Sequence, residues 1–142
     1  MSTSPAPITE SVTDQSGLPT LAWTLFFNQN FEGDAGNEWV PSFQNLGQSG
    51  APEITGRYYQ ISQHLVYFRI TIDPATNTSA VAGSTYCDNF PLLFASDGFN
   101  TVITGTAGGG IGVNNSATNR IYVPAWTNVT TPVTVLGICE AR

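Results

Sequence analysis

Lysine is absent from this chain, histidine and methionine each occur once, and only 10% of the 142 residues are charged, against about 25% in an ordinary soluble domain. Four arginines face ten carboxylates, for a net charge of −6. Nucleic-acid affinity rests on clustered Lys and Arg that displace counterions from phosphates, so this balance excludes a nucleic-acid partner. Anionic membrane surfaces are disfavoured for the same reason. No apolar run reaches the roughly 18 residues that a membrane span requires. The opening stretch "MSTSPAPITESVT" has neither the basic nor the apolar region of a secretory signal, so synthesis and residence in a cytosol are expected.

Catalytic and metal chemistry is short of residues. His64 has no second histidine and no neighbouring carboxylate in sequence with which to form a metal site or a general-base pair, and it reads as a solvated turn residue. No G-x-S-x-G elbow is present, so acyl transfer has no nucleophile. Cys87 and Cys139 are too few for a disulfide scaffold and lack metal-ligand spacing. Buried thiols are expected, with pairing between neighbouring strands as the alternative.

What the chain has in place of charge is Ser, Thr, Asn and Gln, about a third of all residues, together with β-branched and aromatic residues that favour strands and turns. From Ala22 onward, short apolar runs recur between turn signals, the pattern of a sandwich or barrel. The strands predicted are 22–27, 38–43, 53–61, 65–73, 78–82, 85–94, 99–104, 109–113, 119–126 and 131–139. Helix is expected to be negligible, because no segment keeps i, i+3, i+4 periodicity free of Gly and Pro. Pro41, Pro91, Pro124 and Pro132 fall within apolar runs and should mark strand ends, edges or bulges, since proline cannot donate to a ladder. The resulting expectation is all-β: one antiparallel sandwich over residues 21–142, preceded by an extended arm over residues 1–20. That arm holds three prolines and no aromatic residue. Such a composition is disordered unless something holds it, and the expected holder is a neighbouring subunit, with docking onto its own domain as the alternative.

The stretch "GRYYQISQHLVYFRITID", residues 56–73, sets a register problem. Tyr59, Ile61 and Leu65 place apolar side chains at odd positions, whereas Val66, Phe68, Ile70 and Ile72 place them at even ones. A slip of one residue turns a strand inside out. Two strands joined by a tight turn at Ser62, Gln63 and His64 resolve it, with a β-bulge as the runner-up.

Several motifs carry a chemical reading beside a plainer one. "EGDAGNE", residues 32–38, gathers Glu32, Asp34, Asn37 and Glu38, oxygen ligands of the kind calcium takes. The spacing is not that of an EF-hand, and Gly-Asp and Gly-Asn are good turn formers. Nothing places two of these carboxylates across a glycoside. "GTAGGGIG", residues 105–112, lacks the Lys-Ser/Thr of a phosphate loop; it reads as a flexible loop or a place where neighbouring subunits' backbones come close. Trp23, Phe26, Phe27, Trp39, Phe43, Tyr58, Tyr59, Tyr67, Phe68 and Trp126 could stack on sugars, but at period-2 spacing they belong mainly to a core. Asn77-Thr78-Ser79, Asn114-Asn115-Ser116 and Asn128-Val129-Thr130 match the glycosylation acceptor and are expected by chance in a chain this rich in Asn and Thr. No catalytic, cofactor-binding or metal-binding residue is assigned, and no cofactor is implied.

The order "EWVPSF", "GRYYQISQHLVYFRITI", "GSTYCDNFPLLF", "TNRIYVPAWTNVTTPVTVLGICEAR" resembles small β-sandwich modules of tailed-phage virion proteins. Those modules read Tyr-x-Arg-Ile-Gly in the first hairpin, then Leu-Pro-Phe, then Tyr-x-Pro before the last strand. Here Ser62 stands in place of the turn glycine and Asn89-Phe90-Pro91 in place of Leu-Pro, and the resemblance covers residues 39–142. It implies a jelly-roll-like, often trimeric virion component without catalytic residues. The function so expected is a non-enzymatic capsid decoration or cement protein in the virion. It would be a homo-oligomer anchored to the major capsid protein or other virion subunits by its arm. A tail-fibre or receptor-binding head recognising host glycan is the alternative.

Overall fold

The computed structural model describes residues 36–105 and 107–142. The expected arm and the strand expected at 22–27 lie outside those residues, as do Trp23, Phe26, Phe27, Glu32 and Asp34. The described part is an antiparallel β-sandwich of twelve strands without helix. They are β1 (Asn37–Trp39), β2 (Phe43–Gln44), β3 (Gly47–Ser49), β4 (Glu53–Gln60), β5 (Leu65–Asp73) and β6 (Asn77–Ala80). There follow β7 (Tyr86–Cys87), β8 (Gly98–Thr104), β9 (Ala107–Asn115), β10 (Arg120–Tyr122), β11 (Trp126–Val129) and β12 (Val133–Glu140).

Nine strands form one sheet in the order β1-β4-β5-β12-β8-β9-β10-β7-β2, and β11-β6-β3 form a second. The larger sheet must curl. Its outermost strands, β1 and β2, are joined by Val40, Pro41 and Ser42 alone, a link that spans at most about 15 Å. Laid flat, nine strands would hold the same two edges about 38 Å apart. Asn89 seals the seam: its amide donates to Val40 O (2.8 Å) and its side-chain oxygen accepts from Ser42 N (2.8 Å). Each strand of the small sheet continues a strand of the large one after a short bend, β3 after β2, β6 after β5 and β11 after β10, the corner construction of orthogonally packed sheets.

Backbones come close together where β8, β9 and β10 meet. Inward positions there are Gly98, Asn100, Gly112 and Asn114, and a Cβ on Gly112 would lie 2.1 Å from Tyr122 O and 2.5 Å from Asn100 Oδ1. Glycine is required there because backbone occupies the space. This corrects the reading of "GTAGGGIG" as a flexible loop. Most of it is the first half of β9, and the close approach is to the chain's own β10.

Alternation builds the core. β5 turns Val66, Phe68, Ile70 and Ile72 inward and Leu65, Tyr67, Arg69 and Thr71 outward; β12 turns Val133, Val135, Gly137 and Cys139 inward. Each such aliphatic or aromatic burial contributes about 1.5–3 kcal/mol. Two inward glycines serve aromatic neighbours on the paired strand. Phe68 lies across Gly137, and Trp39 lies across Gly56, so closely that a Cβ would meet the Phe68 ring at 2.2 Å and the Trp39 ring at 2.7 Å.

The hairpin expected over residues 56–73 is present as β4 and β5, paired from Glu53↔Asp73 to Gln60↔Val66. The turn holds Ser62, Gln63 and His64, with Ile61 N and Ser62 N both donating to Leu65 O. All four singled-out prolines lie outside strands. Pro41 divides the expected strand 38–43 into β1 and β2, and Pro124 divides 119–126 into β10 and β11, which belong to different sheets. The expected strand 85–94 shrinks to Tyr86–Cys87. Beyond it the chain loops through Pro91, and Phe90 and Phe94 fill the core from that loop with rings 5.2 Å apart. Asn119 holds the loop by accepting from Phe94 N and donating to Leu92 O.

Candidate interaction surface

The outer face of the large sheet is unusually apolar. Strand register places Tyr59, Tyr67, Ile138, Phe99, Val113, Tyr122 and Tyr86 in one row across seven adjacent strands, β4 to β7. Phe99 is 59% exposed, Val113 46% and Ile138 39%. Singly exposed apolar residues are ordinary, but a contiguous band marks an interaction surface. Ile61 and Leu65 extend the band at one side, and Ile103 and Ile111 at the other.

Two kinds of polar group flank the row. On one side the next cross-strand line is Glu38–Arg57–Arg69–Leu136–Thr101. Arg57 and Arg69, half of the chain's cations, sit directly opposite each other, an arrangement unfavourable unless anions intervene; Glu38 forms an ion pair with Arg57. On the other side lie Glu140, opposite Leu65, and Asp97. Ser116 donates to Asp97 from both its N–H and its hydroxyl, at 2.7 Å each, and these bonds hold the Asp97 carboxyl below its ordinary value. Within the row, the Tyr59 and Tyr67 rings lie 5.7 Å apart. Partial burial pushes the Tyr67 phenol up, against the opposing influence of Arg69.

At the far end Tyr86 and Tyr122 pair at 5.2 Å, with the Arg120 guanidinium 4.3 Å above the Tyr86 ring. A shallow concavity beside Tyr122 is lined by Ala82, Gly83, Ile111 and Val113.

The candidates singled out by sequence do not converge. His64 sits in the β4–β5 turn, its ring Nδ1 3.2 Å from Ala141 O, with no carboxylate partner among the described residues. Asn37 and Glu38 lie on edge strand β1, and no group of three His, Cys, Asp or Glu residues that could hold a metal exists among the described residues. Trp39, Phe43, Tyr58, Phe68 and Trp126 face the core, whereas Tyr59 and Tyr67 face outward. The Trp39 indole N–H is buried without a good hydrogen-bond partner, although it lies near enough to the Cys87 sulfur to favour the thiolate slightly. No helix among the described residues is long and apolar enough to cross a membrane.

Both cysteines are buried free thiols. Burial pushes the Cys87 pKa up to about 11, and that of Cys139 up to about 12. Because these folded values exceed the ordinary thiol value, the associated stability is fully present below that value and is lost as pH rises through the folded ones. Both thiols are therefore expected to resist an aromatic disulfide reagent at neutral pH in the native protein and to react together on denaturation. Rapid labelling of either thiol in native buffer would contradict their burial.

The outward band was missed by sequence reading, yet β12 carries a signal of it. "VTVLGICE" has Val133, Val135 and Cys139 in one parity and Leu136 and Ile138 in the other, so it is apolar on both faces, as strands covered on both sides are. Comparisons with protein-family models, curated proteins and solved structures find no match for this chain.

Proposed function

We propose that this protein works through contact area as a non-enzymatic virion component, decorating a phage shell as a cement protein. The observation that supports this best is the seven-strand apolar row on a surface with few ionised groups. Covering such a face costs little desolvation, because interface cores are depleted in charge. In this reading the protein is a homo-oligomer, and residues 1–20 form the anchor to the major capsid protein or another virion subunit, an extended segment of the kind that binds by strand addition.

Deleting residues 1–20 is expected to reduce binding to purified particles at least tenfold while the sandwich keeps its near-UV circular dichroism; undiminished binding would remove the anchor role. Quantifying the protein per particle tests the shell location directly. Hundreds of copies fit decoration, and a handful would place it on the tail. The tail reading, a head recognising host glycan, draws support from Tyr86, Tyr122 and Arg120 beside the concavity, since such a cluster can stack on sugar rings. It requires that Tyr122→Ala lose binding to whole host cells.

A further inference from the structure

We propose that the outer face of β4, β5, β12 and β8 is self-complementary and joins two copies of this chain about a two-fold axis running along the Tyr59–Tyr67–Ile138–Phe99 row. This rests on the assembly reading above and names the partner of that face.

The argument is one of symmetry and charge. A two-fold interface sets a patch against its own copy, so whatever flanks one side of the axis meets whatever flanks the other. Here the axis row is uncharged, with Tyr67 and Ile138 at its centre and Phe99 at its end. One flank carries Arg57 and Arg69, and the opposite flank carries Glu140 on the strand next to Arg69. Rotation about the row therefore brings Arg69 of each copy to within about one strand spacing, ~4.8 Å, of the line on which the other copy's Glu140 lies. The pairing of Arg57 with Arg69 gains a further anion in the same step, beside the Glu38 that pairs with Arg57. A rotation about the strand direction instead would set arginine against arginine.

Area agrees with this arrangement. Four strands at ~4.8 Å and four outward rows at ~6.8 Å make a patch of about 500 Å², or about 1,000 Å² for both copies, the lower bound for a specific interface. Leu65 lies on the Glu140 side and Leu136 on the arginine side, so at each margin the leucine of one copy comes one strand away from that of the other. Outer faces of two twisted sheets pack in this way at about −30°. The subunit number that follows is two, where the phage-module resemblance implies three.

Sedimentation of the full chain over a range of concentrations tests this. A mass of two chains is expected for the wild type, and one chain for Ile138→Asp, with near-UV circular dichroism establishing that the variant is folded. Arg69→Glu and Glu140→Arg should each weaken the dimer about thirtyfold, as two symmetry-related attractions become repulsions. The double variant should recover most of that loss, an outcome that a merely destabilised fold would not produce. A wild-type mass of one or three chains overturns the proposal, as does a double variant no better than either single one. Oligomers that persist in Ile138→Asp would reject this face and leave the assembly reading standing. That reading falls only if the wild type also fails to bind particles.

Discussion

Gly137→Ala is expected to destabilise the domain by about 1–3 kcal/mol, the cost of overpacking a filled core. The added methyl would sit 2.2 Å from the Phe68 ring edge, and Phe68 is fully buried between β4 and β12. The ring has nowhere to go, because Phe90 presses on it at 5.4 Å. Phe68→Ala alone should cost about 3–5 kcal/mol. In that background the same Gly137→Ala change should become nearly neutral or favourable, since the methyl then enters the cavity left by the ring. Such non-additivity, read from urea unfolding of the two single variants and the double variant, is the signature of direct contact. Additive costs would mean that the ring does not lie over the glycine.

Asn114→Leu is expected to cost about 3 kcal/mol, although the exchange is close in size and makes the residue more apolar. Asn114 is fully buried and fastens three strands. Its Nδ2 donates to Phe99 O (3.0 Å) on β8 and to Ile138 O (3.1 Å) on β12, and its Oδ1 accepts from Asn100 Nδ2 (2.9 Å). Asn100 already carries a buried Oδ1 without a partner, although it also donates to Tyr122 O. Removing Asn114 would orphan a second set of polar atoms in a fully buried position, and each orphaned group costs about 1–3 kcal/mol. Amide exchange should accelerate first in β8, β9 and β12. Unchanged stability would show that water can reach the site.

The hairpin β4–β5 was expected in the right place, but the parity change between Ile61 and Val66 is not a change of buried face. Tyr59, Ile61 and Leu65 face outward, and the inward residues are even-numbered on both strands, Gly56 and Tyr58 on β4 and Val66, Phe68, Ile70 and Ile72 on β5. The core strands β8 and β12 were legible from their β-branched apolar runs and not from alternation, since β12 is apolar on both faces and β8 buries Asn100 while exposing Phe99. Prolines told where strands stop but not that the chain changes sheets there, as it does after Pro124; that depends on which partner is free to pair. Phe90 and Phe94 look like strand residues and act from a loop, because Asn119 and the β1–β2 seam supply the hydrogen bonds that a ladder would have given. The outward apolar band was least legible. Phe99, Val113 and Ile138 are far apart in sequence, and only register reveals them as neighbours. Glycines mark the close approach of β9 to β10 but do not announce it, since the atoms that exclude a Cβ from Gly112 belong to Tyr122 and Asn100.

The three-residue link from Trp39 to Phe43 has a consequence for how the chain reaches its native form. Strands consecutive in sequence end up at opposite margins of the nine-stranded sheet, so neither can seat finally until every strand between them has found its place. Such long-range ordering favours slow folding, with margin joining as the last act. Until then β4 and β7, which β1 and β2 cover, display unpaired margins, the usual starting points of aggregation. Refolding yield would thus fall as protein concentration rises, and loss of Asn89, which pins the link through Val40 and Ser42, would prolong that exposed interval.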